Sequence, residues 1–97
     1  MYTINNEINE THFNALQAGK FLDINAKEIL LISLEKGSVF PRHTSPRATH
    51  LLVLEGSISF HINNEVYPLK THQVFDFPKD EEHWVETNEN SKFIIIR

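Results

Sequence analysis

GSVFPRHTSPRATHLLVLEG, residues 37–56, and HQVFDFPKDEEHWVET, residues 72–87, are the two stretches whose reading decides the fold. In the first, Gly37 opens a short apolar run broken by Pro41, and Leu51-Leu52-Val53-Leu54 lead to Gly56. In the second, Val74, Phe75 and Phe77 precede Pro78, and an apolar run resumes after the acidic Asp80-Glu81-Glu82. Short runs rich in β-branched and aromatic residues, closed by Gly or Pro, read as strands and turns. The same rhythm extends on both sides, with strands expected near 27–35, 38–42, 48–54, 57–62, 65–69, 73–77, 83–87 and 92–97. Asn63-Asn64 reads as a tight hairpin turn, because Asn tolerates positive φ. Pro41, Pro46, Pro68 and Pro78 stand at run edges, where a missing ladder N–H does least harm. The expected class is all-β: an antiparallel double-sheet jelly-roll barrel.

Residues 1–26 are more polar and are read as an N-terminal extension, partly irregular, packing on the barrel or swapping to a partner; 27–97 form the barrel. Within the extension, Thr11 to Ala18 suggests a helical turn or two, capped by Thr11 and stopped by Gly19. Ninety-seven residues make one domain. The absence of cysteine removes disulfides and thiolate chemistry. A net charge of −4 without a basic cluster argues against nucleic acid. No apolar run approaches the ~20 residues of a membrane span, and residues 1–7 lack a signal-peptide pattern, so a cytoplasmic protein is expected.

The alternation of Ser57-Ile58-Ser59-Phe60-His61-Ile62 gives one wet face, which is where His61 is expected. Ile29-Leu30-Leu31-Ile32, Leu51 to Leu54 and Phe93-Ile94-Ile95-Ile96 do not alternate and are apolar on both faces. A lone small barrel has no means of burying such outer faces, so a homodimer packed sheet against sheet is expected, with Leu52 and Ile95 as its test positions.

The spacing of the two blocks resembles that of the cupin family over about half the chain. The first block falls on Gly37, His43, Ser45, Thr49 and Gly56, and the second on His72, Pro78, Asp80, His83 and Thr87. Gly37, His43, Gly56, Pro78 and His83 keep the family's residue; the other five do not. In metal-binding cupins, two His and a Glu of the first block join the His of the second on one ion. The resemblance therefore implies His43 and His83 as metal ligands, with Zn, Fe, Mn or Ni as candidate divalent cofactors. Ser45 stands where the family has a second His, and Thr49 where it has the Glu, so the standard ligand set is incomplete. His50 is a candidate third ligand only if a bulge turns it inward. Asp80, Glu81, Glu82, Gln73 and Asp76 are weaker sources of a missing ligand, and His12 and His72 read as surface residues.

The expected function is a small barrel that binds a small polar or anionic molecule in its mouth without an intact metal site. His43, Ser45, Thr49, His83, Trp84, Arg42 and Arg47 are its pocket candidates. One alternative is a metal-dependent isomerase, lyase or dioxygenase with an altered ligand set. The other rests on a resemblance of residues 50–83 to the sugar-sensing barrels of AraC-type regulators, here without a DNA-binding domain. The fold does not choose among them.

Overall fold

A computed structural model describes residues 2–97, within which there are one helical turn and nine strands. The turn is α1 (Glu7–Glu10). The strands are β1 (Leu16–Ile24), β2 (Lys27–Leu34), β3 (Val39–His43), β4 (Thr49–Glu55), β5 (Ser57–Ile62), β6 (Glu65–Lys70), β7 (Val74–Phe77), β8 (His83–Glu86) and β9 (Ser91–Ile96). They form a five-stranded sheet in the order β1-β2-β9-β4-β7 and a four-stranded sheet in the order β3-β8-β5-β6, antiparallel throughout. Every strand expected from residue 27 onward is present, because turn residues and apolar runs there agree about where chain direction changes. No helix is long and apolar enough to cross a membrane among the described residues.

The N-terminal expectation is corrected. The helical turn lies earlier, and Thr11 ends it, with its N–H and hydroxyl both donating to Glu7 O at 3.0 and 2.7 Å. Leu16–Ile24 is a strand, with Gly19 opposite Leu31 in mid-ladder rather than at a helix stop. An isolated turn of helix is poorly nucleated, whereas the open edge of β2 supplies a complete ladder. Asn25-Ala26, both at positive φ, close the β1–β2 hairpin much as Asn63-Asn64 close β5–β6.

The inner faces meet in a core of Ile32, Leu34, Leu51, Val53, Ile58, Phe60, Ile62, Leu69, Phe77, Val85, Phe93 and Ile95. Ile95 therefore points inward, and Ile94 and Ile96 occupy the outer face. A lysine at 95 would disrupt the core, so it is not a surface test position. Gly56 joins β4 to β5 at φ 79°, where a Cβ would collide with Ser91 Oγ and the Asn90 carbonyl.

Candidate functional site at the rim of the barrel

The last residue of β3 and the first of β8 are His43 and His83, which face each other in register. Simple alternation from the inward Phe40 would turn Arg42 inward and His43 outward. The register shift between Phe40 and His43, at Pro41-Arg42, reverses this. Phe40 consequently stacks on His43 with ring centroids 4.5 Å apart, and His43 meets His83 edge-on at 4.3 Å. Phe60 lies parallel to the His83 ring at 5.3 Å, and Phe77 tilts against it at 4.6 Å. Phenyl rings therefore pack the barrel beneath the pair.

Both imidazoles are anchored alike. Nδ1 of His43 lies 2.7 Å from Pro41 O, and Nδ1 of His83 lies 2.9 Å from Glu81 O. A carbonyl only accepts, so each Nδ1 carries the proton and donates. In the neutral ring this leaves a lone pair on Nε2. Neither Nε2 has a protein partner, yet neither is sealed in: the enclosed, unpartnered side-chain polar atom among the described residues is Nε2 of His61. His83 is 3% exposed. Burial lowers its pKa, against a raising effect of the Glu81 carbonyl, and nearby His43 and Arg97 lower it further, so the ring stays neutral below its ordinary range.

Ser45 and Thr49 are buried near this rim, but their hydroxyls are engaged locally. Ser45 Oγ lies 3.0 Å and Thr49 Oγ1 2.9 Å from Arg47 O, and the two hydroxyls are 3.2 Å apart. The Asp80 N–H donates to Ser45 O at 2.8 Å, tying the loop before β8 to this corner.

The other candidates lie elsewhere. Arg42, pushed outward by the bulge, pairs with Glu82 at 2.9 Å. Arg47 donates to Ala26 O at 3.1 Å. Trp84, next to the inward His83, faces out of the barrel and stacks on His61 at 3.7 Å. His61 Nε2 lies 3.5 Å from a Glu86 carboxylate oxygen, within ion-pair range but outside hydrogen-bond geometry. Trp84, His61 and Arg42 border a cleft of about 220 Å³ on the outer face of the four-stranded sheet. The expectation that Trp84 and Arg42 share a pocket with the histidine pair is thus replaced by a separate outer cleft. His50 bonds to Asp76 on the opposite outer face, because Thr49 takes the inward place and no bulge intervenes. Gln73 accepts from the Lys70 N–H, and His12, His72, Asp80 and Glu81 are exposed. Sequence reasoning missed the stack of His61 on Trp84, although their outward parity in β5 and β8 was the signal for it.

Residues 30–96 match the family model described as Cupin domain. The chain belongs to the cupin family. Solved structures agree on the fold: a conserved protein of unknown function from Streptococcus pyogenes has a TM-score of 0.84 at 19% identity, over 99% of this chain and 86% of that one. An RmlC-like cupin from Desulfovibrio desulfuricans has a TM-score of 0.84 at 18% identity, over 99% and 95%. A cupin-2 domain protein from Shewanella frigidimarina has 0.81 at 21%, over 97% and 92%. No curated protein matches the sequence.

The donors of this cupin do not fit the four-ligand centre of metal-binding relatives. Two imidazoles converge, but no group of three or more His, Cys, Asp or Glu is gathered among the described residues. The two hydroxyls are neutral oxygen donors already turned toward Arg47 O. No carboxylate takes the place of the absent Glu, since Glu82 pairs with Arg42 and Asp76 with His50 on outer surfaces.

Proposed function

We propose that this cupin is a binding protein for a small polar molecule held at the barrel rim by His43 and His83. The observation that carries this reading is the pair of Nε2 lone pairs, both fixed by Nδ1–carbonyl hydrogen bonds and both without a protein partner. Neutral Nε2 accepts hydrogen bonds, so the ligand class is one that donates them: a polyol or an amide. Anions are disfavoured, because burial keeps His83 neutral and the neighbouring arginines are engaged, Arg42 by Glu82 and Arg47 by Ala26 O. The phenyl packing below the pair favours a small molecule at the rim over one deep in the barrel.

Saturation-transfer NMR with mixtures of small neutral polyols and amides, and separately of carboxylates, tests this. His43→Phe and His83→Phe keep ring volume and remove the lone pairs. Transfer to polyols or amides that both variants abolish is the expected result. Transfer unchanged in the variants, or confined to carboxylates, would overturn the reading. So would near-stoichiometric divalent metal in tag-free protein that disappears in a His43→Ala/His83→Ala variant, measured by elemental mass spectrometry.

A further inference from the structure

The bulge at Pro41-Arg42 that turns His43 inward also sets Arg42 on the outer face of the four-stranded sheet. There Arg42 in β3, Trp84 in β8, His61 in β5 and Val66 in β6 make one row across the strands, with His61 opposite both Trp84 and Val66. Two adjoining clefts of about 220 Å³ and about 320 Å³ lie along this row, and Arg42, Asn63, Asn64 and Glu82 line both. Trp84 and His61 wall the first.

Each wall offers a different contact. His61 covers one face of the Trp84 indole at 3.7 Å, with ring planes within 10°, and this stack fixes the indole on the sheet. The indole N–H has no protein acceptor among the described residues and is not sealed in. Asn63 and Asn64 turn the β5–β6 hairpin at φ 53° and 61°, and their amides are exposed and unbonded among the described residues. Each amide both donates and accepts. Arg42 and Glu82 stand 2.9 Å apart with side chains 63% and 55% exposed, so a donor and an acceptor are presented side by side. Such an exposed pair holds its partners weakly, so a ligand that bonds to both meets little competition.

We propose that this outer cleft binds a neutral saccharide unit, at a site separate from the histidine pair at the rim. A pyranose carries apolar C–H groups on its faces and hydroxyls around its edge. These match indole carbon beside free amides and a guanidinium–carboxylate pair. A vicinal diol accepts from Arg42 and donates to Glu82 without disturbing their charge balance. Charged ligands fit less well. An anion meets Glu65, Glu81 and Glu82 against one guanidinium, and a cation competes with Arg42 for Glu82. A wholly apolar ligand would bury the two amides without partners.

Trp84 makes the test direct. It is the only tryptophan of the chain, so the intact protein gives one indole N–H cross-peak in a proton–nitrogen correlation spectrum. Methyl glucoside, methyl galactoside, N-acetylglucosamine and cellobiose are the probes, with gluconate and spermidine as charged comparisons. Saturable displacement of that cross-peak by at least one neutral saccharide is expected. Arg42→Ala and Asn64→Gly, both at exposed positions and the second suited to the positive φ, are each expected to weaken this binding about tenfold. No displacement by any neutral saccharide would overturn the proposal. Displacement by gluconate or spermidine alone would overturn it in favour of a charged ligand, and displacement that both variants leave unchanged would remove the cleft as its cause. Displacement that His43→Phe abolishes would also overturn it, because the saccharide would then sit at the rim, on the other face of β8.

Discussion

Two corners of this barrel are built the same way and do different work. Ser45 to Thr49 carries the chain from β3 in the smaller sheet to β4 in the larger, and Thr87 to Ser91 carries it from β8 to β9. In each, hydroxyls four residues apart enclose the carbonyl midway between them. Arg47 O lies 3.0 and 2.9 Å from its two hydroxyls, and Glu89 O lies 2.6 and 2.9 Å from its pair. In each, the central N–H turns back to the first hydroxyl, at 3.4 Å from Ser45 and 3.2 Å from Thr87. The far corner has one further partner: Ser57 O, 2.6 Å from Thr87 and 3.0 Å from Ser91. Two hydroxyls there serve two carbonyls, one from another strand, and Gly56 packs directly on them. The far corner ties three strands together, whereas the hydroxyl bonds of the near corner close only on its own loop. The near corner occupies the positions where metal-binding relatives place ligands. This corner thus has hydroxyls that close a turn, as Thr87 and Ser91 do at the barrel's other end, in exchange for the ligands of that pattern.

The largest expected effect comes from undoing that exchange. Ser45→His with Thr49→Glu supplies one imidazole and one carboxylate beside His43 and His83. Divalent-metal affinity is expected to rise at least about a hundredfold, equivalent to about 2.7 kcal/mol. Metal-free stability should fall, because Arg47 O loses both donors. Calorimetric titration with Zn²⁺, paired with urea melts of the metal-free variant, reads both. Equal affinity in variant and wild type would mean that the near corner does not face the histidine pair as a ligand loop must.

Removing one hydroxyl from each corner separates the tertiary tie from the local one. Thr87→Val is expected to cost about 2 kcal/mol, because it leaves the one Ser91 hydroxyl to serve both Ser57 O and Glu89 O. Thr49→Val should cost about 1 kcal/mol, since Ser45 still reaches Arg47 O and exposed Pro46 and Arg47 let water approach. Urea melts of the two variants give the ordering, and an equal or reversed loss would remove the distinction between the corners.

Much of the fold was legible because turn chemistry and apolar runs from residue 27 onward agree. The failures share a cause: they depend on parity or on a distant strand. Leu16–Ile24 has no local strand signature, and its state is set by the open edge of β2. The run Phe93-Ile94-Ile95-Ile96 conceals which isoleucines face in, because a continuous apolar stretch carries no alternation to read. At the site, block spacing located His43 and His83, but the bulge at Pro41-Arg42 that aims His43 inward was not visible. Ser45 and Thr49 were read as missing ligands, although Thr87 and Ser91 repeat their spacing in the same sequence. Trp84 follows from parity alone: once His83 is inside, its neighbour is outside.

The smallest expected effect concerns protons, and it distinguishes the rim from the far corner, which has hydroxyls but no titrating group among its bonded partners. His83 resists protonation in the folded protein, whereas the unfolded chain titrates at the ordinary value of 6.5. As pH falls below that value, the unfolded state takes up a proton that the folded state refuses. The contribution of neutral His83 to stability is thus complete above pH 6.5 and declines toward the lowered folded value. Urea midpoints should fall on acidification through this window in wild type and in Thr87→Val. In His83→Phe this component of the slope should disappear, because nothing at that position binds a proton in either state. A slope unchanged in His83→Phe would show that the buried imidazole is not the group that refuses the proton.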